Sequence, residues 1–216
     1  MHALFRGVCV IPVLTIEREE HAVPLARLLY ESGLRLIEVT LRTQAAPAAI
    51  AAIAQALPQA VVGAGTVERP ADVAAAREAG ARFLVSPGMT AELAAAALAS
   101  ELPYVPGVTT PSEIMAARAL GLSFMKVFPA EAVGGVALVA ALAPVFPGIA
   151  FCPTGGLDEE RARRYLALPN VPVVAGSWMV PREALLLGDW ARLRRLAGAA
   201  AALGHESFCG RDARAP

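Results

Sequence analysis

Short runs of apolar, often β-branched residues alternate along the chain with alanine-rich segments whose hydrophobic positions recur at helical spacing. That alternation predicts strand–helix units and a parallel sheet. Eight strands are expected, over Val8–Leu14, Leu34–Thr40, Ala60–Ala64, Arg82–Ser86, Pro103–Pro106, Phe124–Phe128, Ile149–Cys152 and Val171–Gly176. Their starts are spaced by roughly 20 to 26 residues, which suits a compact eight-fold barrel. Helices are expected between them, among others over His21–Ser32, Pro47–Ala56, Pro70–Ala79, Thr90–Ala99, Pro111–Leu120 and Asp158–Leu168. Thr110-Pro111-Ser112-Glu113 and Arg69-Pro70-Ala71-Asp72 place proline or an acid in a first turn, and Gly33, Gly80 and Gly121 mark helix ends. The same alternation could build an open doubly wound sheet, but eight regular units favour closure into a single-domain α/β (β/α)8 TIM barrel. The barrel is expected over residues 1–203, with 204–216 as a polar, flexible tail.

Composition narrows the partners. Of 216 residues, 56% are hydrophobic, yet no apolar run approaches the roughly 20 residues that a bilayer requires. A soluble protein is expected, with part of the apolar surplus buried between subunits. The apolar stretch after Arg6 has no small-residue cleavage site and runs into Glu17-Arg18-Glu19-Glu20, so it reads as a first strand rather than a signal peptide. Nineteen basic residues balance nineteen acidic ones, which argues against nucleic acid or an anionic membrane and for a small-molecule partner. Cys9, Cys152 and Cys209 lack C-x-x-C spacing and read as apolar thiols in a reducing cytoplasm. His2, His21 and His205 form no ligand pair, so no metal site is expected.

In a closed barrel the chemistry sits at the carboxyl ends of the strands. Nearly every polar or glycine-rich cluster falls there, and so does the chain's single lysine, Lys126, against eighteen arginines. A guanidinium stays protonated and cannot form an imine, whereas an amine can attack a carbonyl. Strand alternation places Phe124, Lys126 and Phe128 on one face. The bland alternative is a lysine that snorkels from the strand end or sits in an ion pair. On the second strand Leu36, Glu38 and Thr40 share a face, and strands two and six oppose each other in a ring of eight, so Glu38 can meet Lys126. A carboxylate there either moves protons or only neutralises an ammonium. Arg42, in the following loop, could grip a carboxylate with a bidentate fork, or be an ordinary loop arginine. Pro153-Thr154-Gly155-Gly156 and Gly176-Ser177 end strands seven and eight, where many barrels bind phosphate; the alternative is two tight turns with no ligand.

Taken together, Glu38-Val-Thr-Leu-Arg-Thr43, Val62-Gly-Ala-Gly-Thr66, Ser86-Pro-Gly88, Phe128-Pro-Ala-Glu131 with Gly134-Gly135, Phe151-Cys-Pro-Thr-Gly-Gly156 and Gly176-Ser-Trp178 resemble the 2-keto-3-deoxy-6-phosphogluconate (KDPG) / 4-hydroxy-2-oxoglutarate aldolase family, from about Val8 to Ala197. The resemblance implies a homotrimeric class I pyruvate aldolase with no cofactor, acting on a phosphorylated keto acid. It implies that Lys126 forms the imine and Glu38 handles protons. Arg42 and Thr66 would hold the pyruvyl carboxylate, Pro87 and Thr154 line the substrate chain, and Gly155, Gly156, Gly176 and Ser177 take the phosphate. The rivals are the galactonate-epimer aldolase, from which Thr154 leans away, and a phosphate-binding barrel without turnover; activity on 4-hydroxy-2-oxoglutarate is a further possibility. The segment before the first strand is shorter than the family's, which would leave the barrel bottom less covered.

Overall fold

The computed structural model describes residues 3–212. Nine short strands run through it: β1 Val10–Leu14, β2 Leu36–Thr40, β3 Val61–Gly65, β4 Leu84–Val85, β5 Tyr104–Val105, β6 Gly107–Val108, β7 Phe124–Val127, β8 Ala150–Pro153 and β9 Val174–Gly176. The helices are α1 Ala22–Glu31, α2 Ala46–Ala56, α3 Pro70–Glu78, α4 Ala91–Ala99, α5 Pro111–Ala119, α6 Gly135–Val145, α7 Glu159–Leu166, α8 Arg182–Leu186 and α9 Trp190–Asp212. Helix α9 thus enters the segment 204–216 that was expected as a tail, and residues 213–216 lie outside the described residues. Among the described residues no helix is long and apolar enough to cross a membrane.

Among the described residues every ladder is parallel. One sheet has the order β5-β4-β3-β2-β1-β9 and the other β6-β7-β8. The expected strand–helix alternation is therefore present, but the eight expected strands appear as six plus three. The expected fifth strand, Pro103–Pro106, appears as β5, and Pro106, which has no N–H to give a ladder, separates it from the additional strand β6. The Pro106 carbonyl still accepts from the Lys126 N–H at 2.8 Å. At the other edges Thr154, just past β8, bridges in parallel to Ala175 of β9. The sheet is curled, because side chains from β2 in one sheet and β7 in the other touch across it.

Strand alternation sorts the core into two layers. Ile37, Val62, Met125 and Phe151 face outward and pack with Leu25, Ile50 and their neighbours on the helices. Leu36, Phe83, Val105 and Phe124 face inward and form a second cluster. Phe5, from a 3-10 turn at Ala3–Phe5, is buried in that inner cluster, its ring centroid 5.6 Å from Phe83 and 5.0 Å from Phe124. Part of the amino end of the strands is therefore covered by one aromatic ring from the N-terminal segment.

Candidate active site

Lys126 lies in β7, beside Gly107 of β6 and Cys152 of β8 in register. It points inward above Phe124, and only 4% of its surface is exposed. A lysine so deeply buried is held by partners or by function. Its Nζ lies 5.0 Å from the centroid of the Phe128 ring and 3.6 Å from Oε1 of Glu38. Glu38, on β2, is 1% exposed. At 3.6 Å the pair attracts by charge but is too long for a good hydrogen bond. Among the described residues, Oε1 of Glu38 is a buried acceptor that takes no hydrogen bond.

The space for this pair is made by what the neighbouring strand lacks. Gly63 and Gly65 are the alternate inward positions of β3. A β-carbon on Gly63 would lie 2.4 Å from the Phe83 ring, and one on Gly65 would lie 2.1 Å from the Glu38 carboxylate. Beneath the pair, the Cys152 thiol is pushed up to about 12 by burial, which the nearby Lys126 charge only partly offsets.

The loops after the strands bring the remaining candidates to the same rim. Arg42 donates from Nε to Thr66 Oγ1 at 3.1 Å, which ties the loop after β2 to the loop after β3. Thr66 stands at φ +57°, an uncommon conformation for a β-branched residue and therefore a strained one. Pro87 follows buried Ser86, whose hydroxyl shares a 2.7 Å hydrogen bond with the Tyr104 hydroxyl. The Pro87 carbonyl presses against β6 so closely that a β-carbon on Gly107 would lie 2.1 Å from its oxygen. Thr154 is buried; its N–H donates to Val127 at 3.0 Å, and its carbonyl accepts from Ala130 at 2.8 Å. Gly155 and Gly156 follow at φ +101° and +78°, values that exclude most side chains. The Thr154–Ala175 bridge sets this turn next to Gly176 and Ser177. The Trp178 ring lies on Gly176, where a β-carbon would meet it at 2.4 Å, while Ser177 is exposed.

Lys126 and Glu38 are therefore in contact, Arg42 and Thr66 are bonded to each other, and Thr154 to Gly156 and Gly176 to Ser177 share one edge. Two features went unread in the sequence. One is the alternation of Gly63 and Gly65, a visible signal that something approaches β3 closely. The other is a network of Glu131, Arg161 and Tyr165 beneath the Gly155–Gly156 turn, whose only trace in the sequence is Arg161 three residues after a capping aspartate. Among the described residues no group of three or more His, Cys, Asp or Glu side chains could hold a metal ion.

The family model for KDPG and KHG aldolase matches residues 1–196. The KHG/KDPG aldolase of Escherichia coli is 48% identical over 188 residues, covering 87% of this chain and 88% of that protein. The 2-dehydro-3-deoxy-phosphogluconate aldolase of Dickeya dadantii is 49% identical over 193 residues, covering 89% and 91%. Among solved structures, the KDPG aldolase of Legionella pneumophila, with pyruvate captured at low pH as a covalent carbinolamine intermediate, superposes with a TM-score of 0.89. It is 43% identical, with 92% of this chain and 96% of that one covered.

Proposed function

This chain belongs to the KDPG and KHG aldolase family, and on that premise we propose that its buried lysine–carboxylate pair cleaves 2-keto-3-deoxy-6-phosphogluconate to pyruvate and glyceraldehyde 3-phosphate. It is a lyase of the Schiff-base class. The observation that carries the residue assignment is the 3.6 Å approach of Lys126 to a carboxylate whose Oε1 is buried and, among the described residues, accepts no hydrogen bond.

The Lys126 amine attacks the C2 ketone, and loss of water from the carbinolamine gives a protonated imine. Glu38 takes the proton of the C4 hydroxyl and the C3–C4 bond breaks; its electron pair flows into the imine to leave an enamine. Glyceraldehyde 3-phosphate departs. A proton returned to C3 regenerates the imine, and water releases pyruvate and the free amine. Arg42 and Thr66, already bonded to each other, present the guanidinium and hydroxyl that a pyruvyl carboxylate would use. Pro87 and Thr154 line the chain of the substrate, and Gly155, Gly156, Gly176 and Ser177 receive its phosphate. The buried Thr154 hydroxyl supports the gluconate rather than the galactonate epimer as substrate. The same centre has the parts to cleave unphosphorylated 4-hydroxy-2-oxoglutarate.

The strands are read as one (β/α)8 barrel within a single domain over residues 1–203, supported by the Thr154–Ala175 bridge and by the one-residue gap between β5 and β6. A homotrimer is supported by Leu98, Met115 and Val145, exposed at 42%, 63% and 61% on α4, α5 and α6. A cytoplasmic location is supported by Cys152, which is buried as a thiol rather than joined in a disulfide.

Reduction with borohydride in the presence of pyruvate tests the central claim. A single adduct mapped to Lys126 by mass spectrometry is expected, and an unlabelled Lys126 in otherwise folded protein sinks the Schiff-base assignment.

A further inference from the structure

The Gly155–Gly156 turn is held from below by its carbonyl oxygens. The Gly155 carbonyl accepts from the Glu131 N–H at 3.3 Å, and the Gly156 carbonyl accepts from Nη1 of Arg161 at 2.8 Å. Both peptide units that follow are trans, the only cis bond among the described residues being Phe128–Pro129. In a trans peptide the N–H points opposite to the carbonyl. Fixing the two carbonyls therefore aims the Gly156 N–H away from the Glu131 amide, in the loop after β7, and the Leu157 N–H away from Arg161 on α7. Successive amides turned to one side make a concave site for an anion.

Arg161 does not stand alone. Its Nε lies 3.2 Å from Oε2 of Glu131, and its Nη1 lies 3.3 Å from Oδ2 of Asp158. Asp158 caps α7 by accepting the Arg161 N–H at 2.8 Å, so the arginine is anchored at backbone and side chain together. The Tyr165 hydroxyl donates to Oε1 of Glu131 at 2.6 Å. Burial and that hydrogen bond hold the Tyr165 hydroxyl well above the usual phenol range, so it remains a donor. With one oxygen of Glu131 given to Tyr165 and the other to Arg161, the half-exposed guanidinium is held at two of its nitrogens, Nε and Nη1. The turn has no slack either, since a β-carbon on Gly156 would lie 2.9 Å from the Glu131 β-carbon.

We propose that Arg161 is a positioning residue for phosphate recognition: through the Gly156 carbonyl it aims the Leu157 N–H at the phosphate of the substrate, and so sets the preference for phosphorylated over unphosphorylated keto acids. The inference rests on the assignment of Gly155, Gly156, Gly176 and Ser177 to the phosphate end, and the two can fail separately. Losing one charge-assisted hydrogen bond that orders the cradle is expected to weaken phosphate binding about tenfold.

The test is steady-state kinetics on KDPG for Arg161→Met, Arg161→Lys and Ser177→Ala, with the rate of borohydride trapping of pyruvate on Lys126 as a readout that involves no phosphate. Arg161→Met is expected to raise KM for KDPG about tenfold, change kcat less than twofold and leave pyruvate trapping at the wild-type rate. Arg161→Lys, which keeps a cationic donor, is expected to recover part of the KM. An unchanged KM in Arg161→Met, while Ser177→Ala raises it, overturns the inference and leaves the phosphate assignment standing. An unchanged KM in both variants overturns both. Equal losses in KDPG cleavage and pyruvate trapping show a general structural role and also overturn it.

Discussion

Gly65 is where the chemistry depends on a missing atom. A methyl group there would overlap the Glu38 carboxylate, which is enclosed and has nowhere to retreat without leaving Lys126. Gly65→Ala is therefore expected to cost activity much as Glu38→Gln does, by about a hundredfold or more in kcat, the scale of a lost general acid–base group. Single-turnover cleavage of KDPG measures it, and a Gly65→Ala protein with wild-type kcat removes Glu38 from the proton path. The pairing of Lys126 with Glu38 was legible because strand alternation alone decides which face a residue takes. The crowding around Gly65 was not, because it depends on how far a side chain of β2 leans over β3. The hold of Arg161 on a backbone carbonyl was hidden for a similar reason: a rotamer and a turn conformation decide it together.

At the scale of the element, α5 connects local sequence to the site. Thr110 Oγ1 accepts the Glu113 N–H at 3.3 Å, and Oε2 of Glu113 accepts from the N–H groups of Thr109 and Thr110, at 2.6 Å and 2.8 Å. Thr109, fixed by this cap, donates its hydroxyl to the carbonyl of Phe128, two residues past Lys126. Partial burial opposes charge on Glu113, but the two backbone donors prevail and hold its carboxyl below the usual glutamate value. A group whose pKa falls on folding stabilises above its unfolded pKa of 4.5 and loses that contribution as pH drops through the folded value. Thr110→Ala is expected to cost about 1 kcal/mol in urea unfolding at neutral pH. Glu113→Gln is expected to flatten the loss of stability below pH 4.5, and an unchanged acid limb removes the cap from that role. The sequence displayed this element openly, with Thr110, Pro111 and Glu113 in capping order. It was less clear about strand ends. Val8 and Leu34 satisfy the apolar pattern, yet β1 and β2 begin two residues later, because hydrophobicity marks burial and not the start of a ladder.

For the molecule as a whole, parallel strands alternating with helices were legible from eight repeats of one pattern. How the last edges meet was not, since short strands such as β4, β5 and β6 contribute two residues each. The role of Phe5 was equally hidden, because a lone aromatic near a terminus does not reveal which side chains it packs against. Apolar side chains left outward on α4, α5 and α6 make a prediction at this scale. Light scattering is expected to give three times the chain mass of 22.4 kDa, and a mass of one chain contradicts the trimer.

The solitary lysine also gives the chain a built-in record of its own chemistry. Once unfolded, the protein offers a lysine-specific protease a single peptide bond, after Lys126, and separates into residues 1–126 and 127–216. A chain whose ε-amine has been reduced onto pyruvate no longer presents that bond as a substrate and stays whole. The fraction of intact chain on a gel therefore counts the active centres that have captured pyruvate.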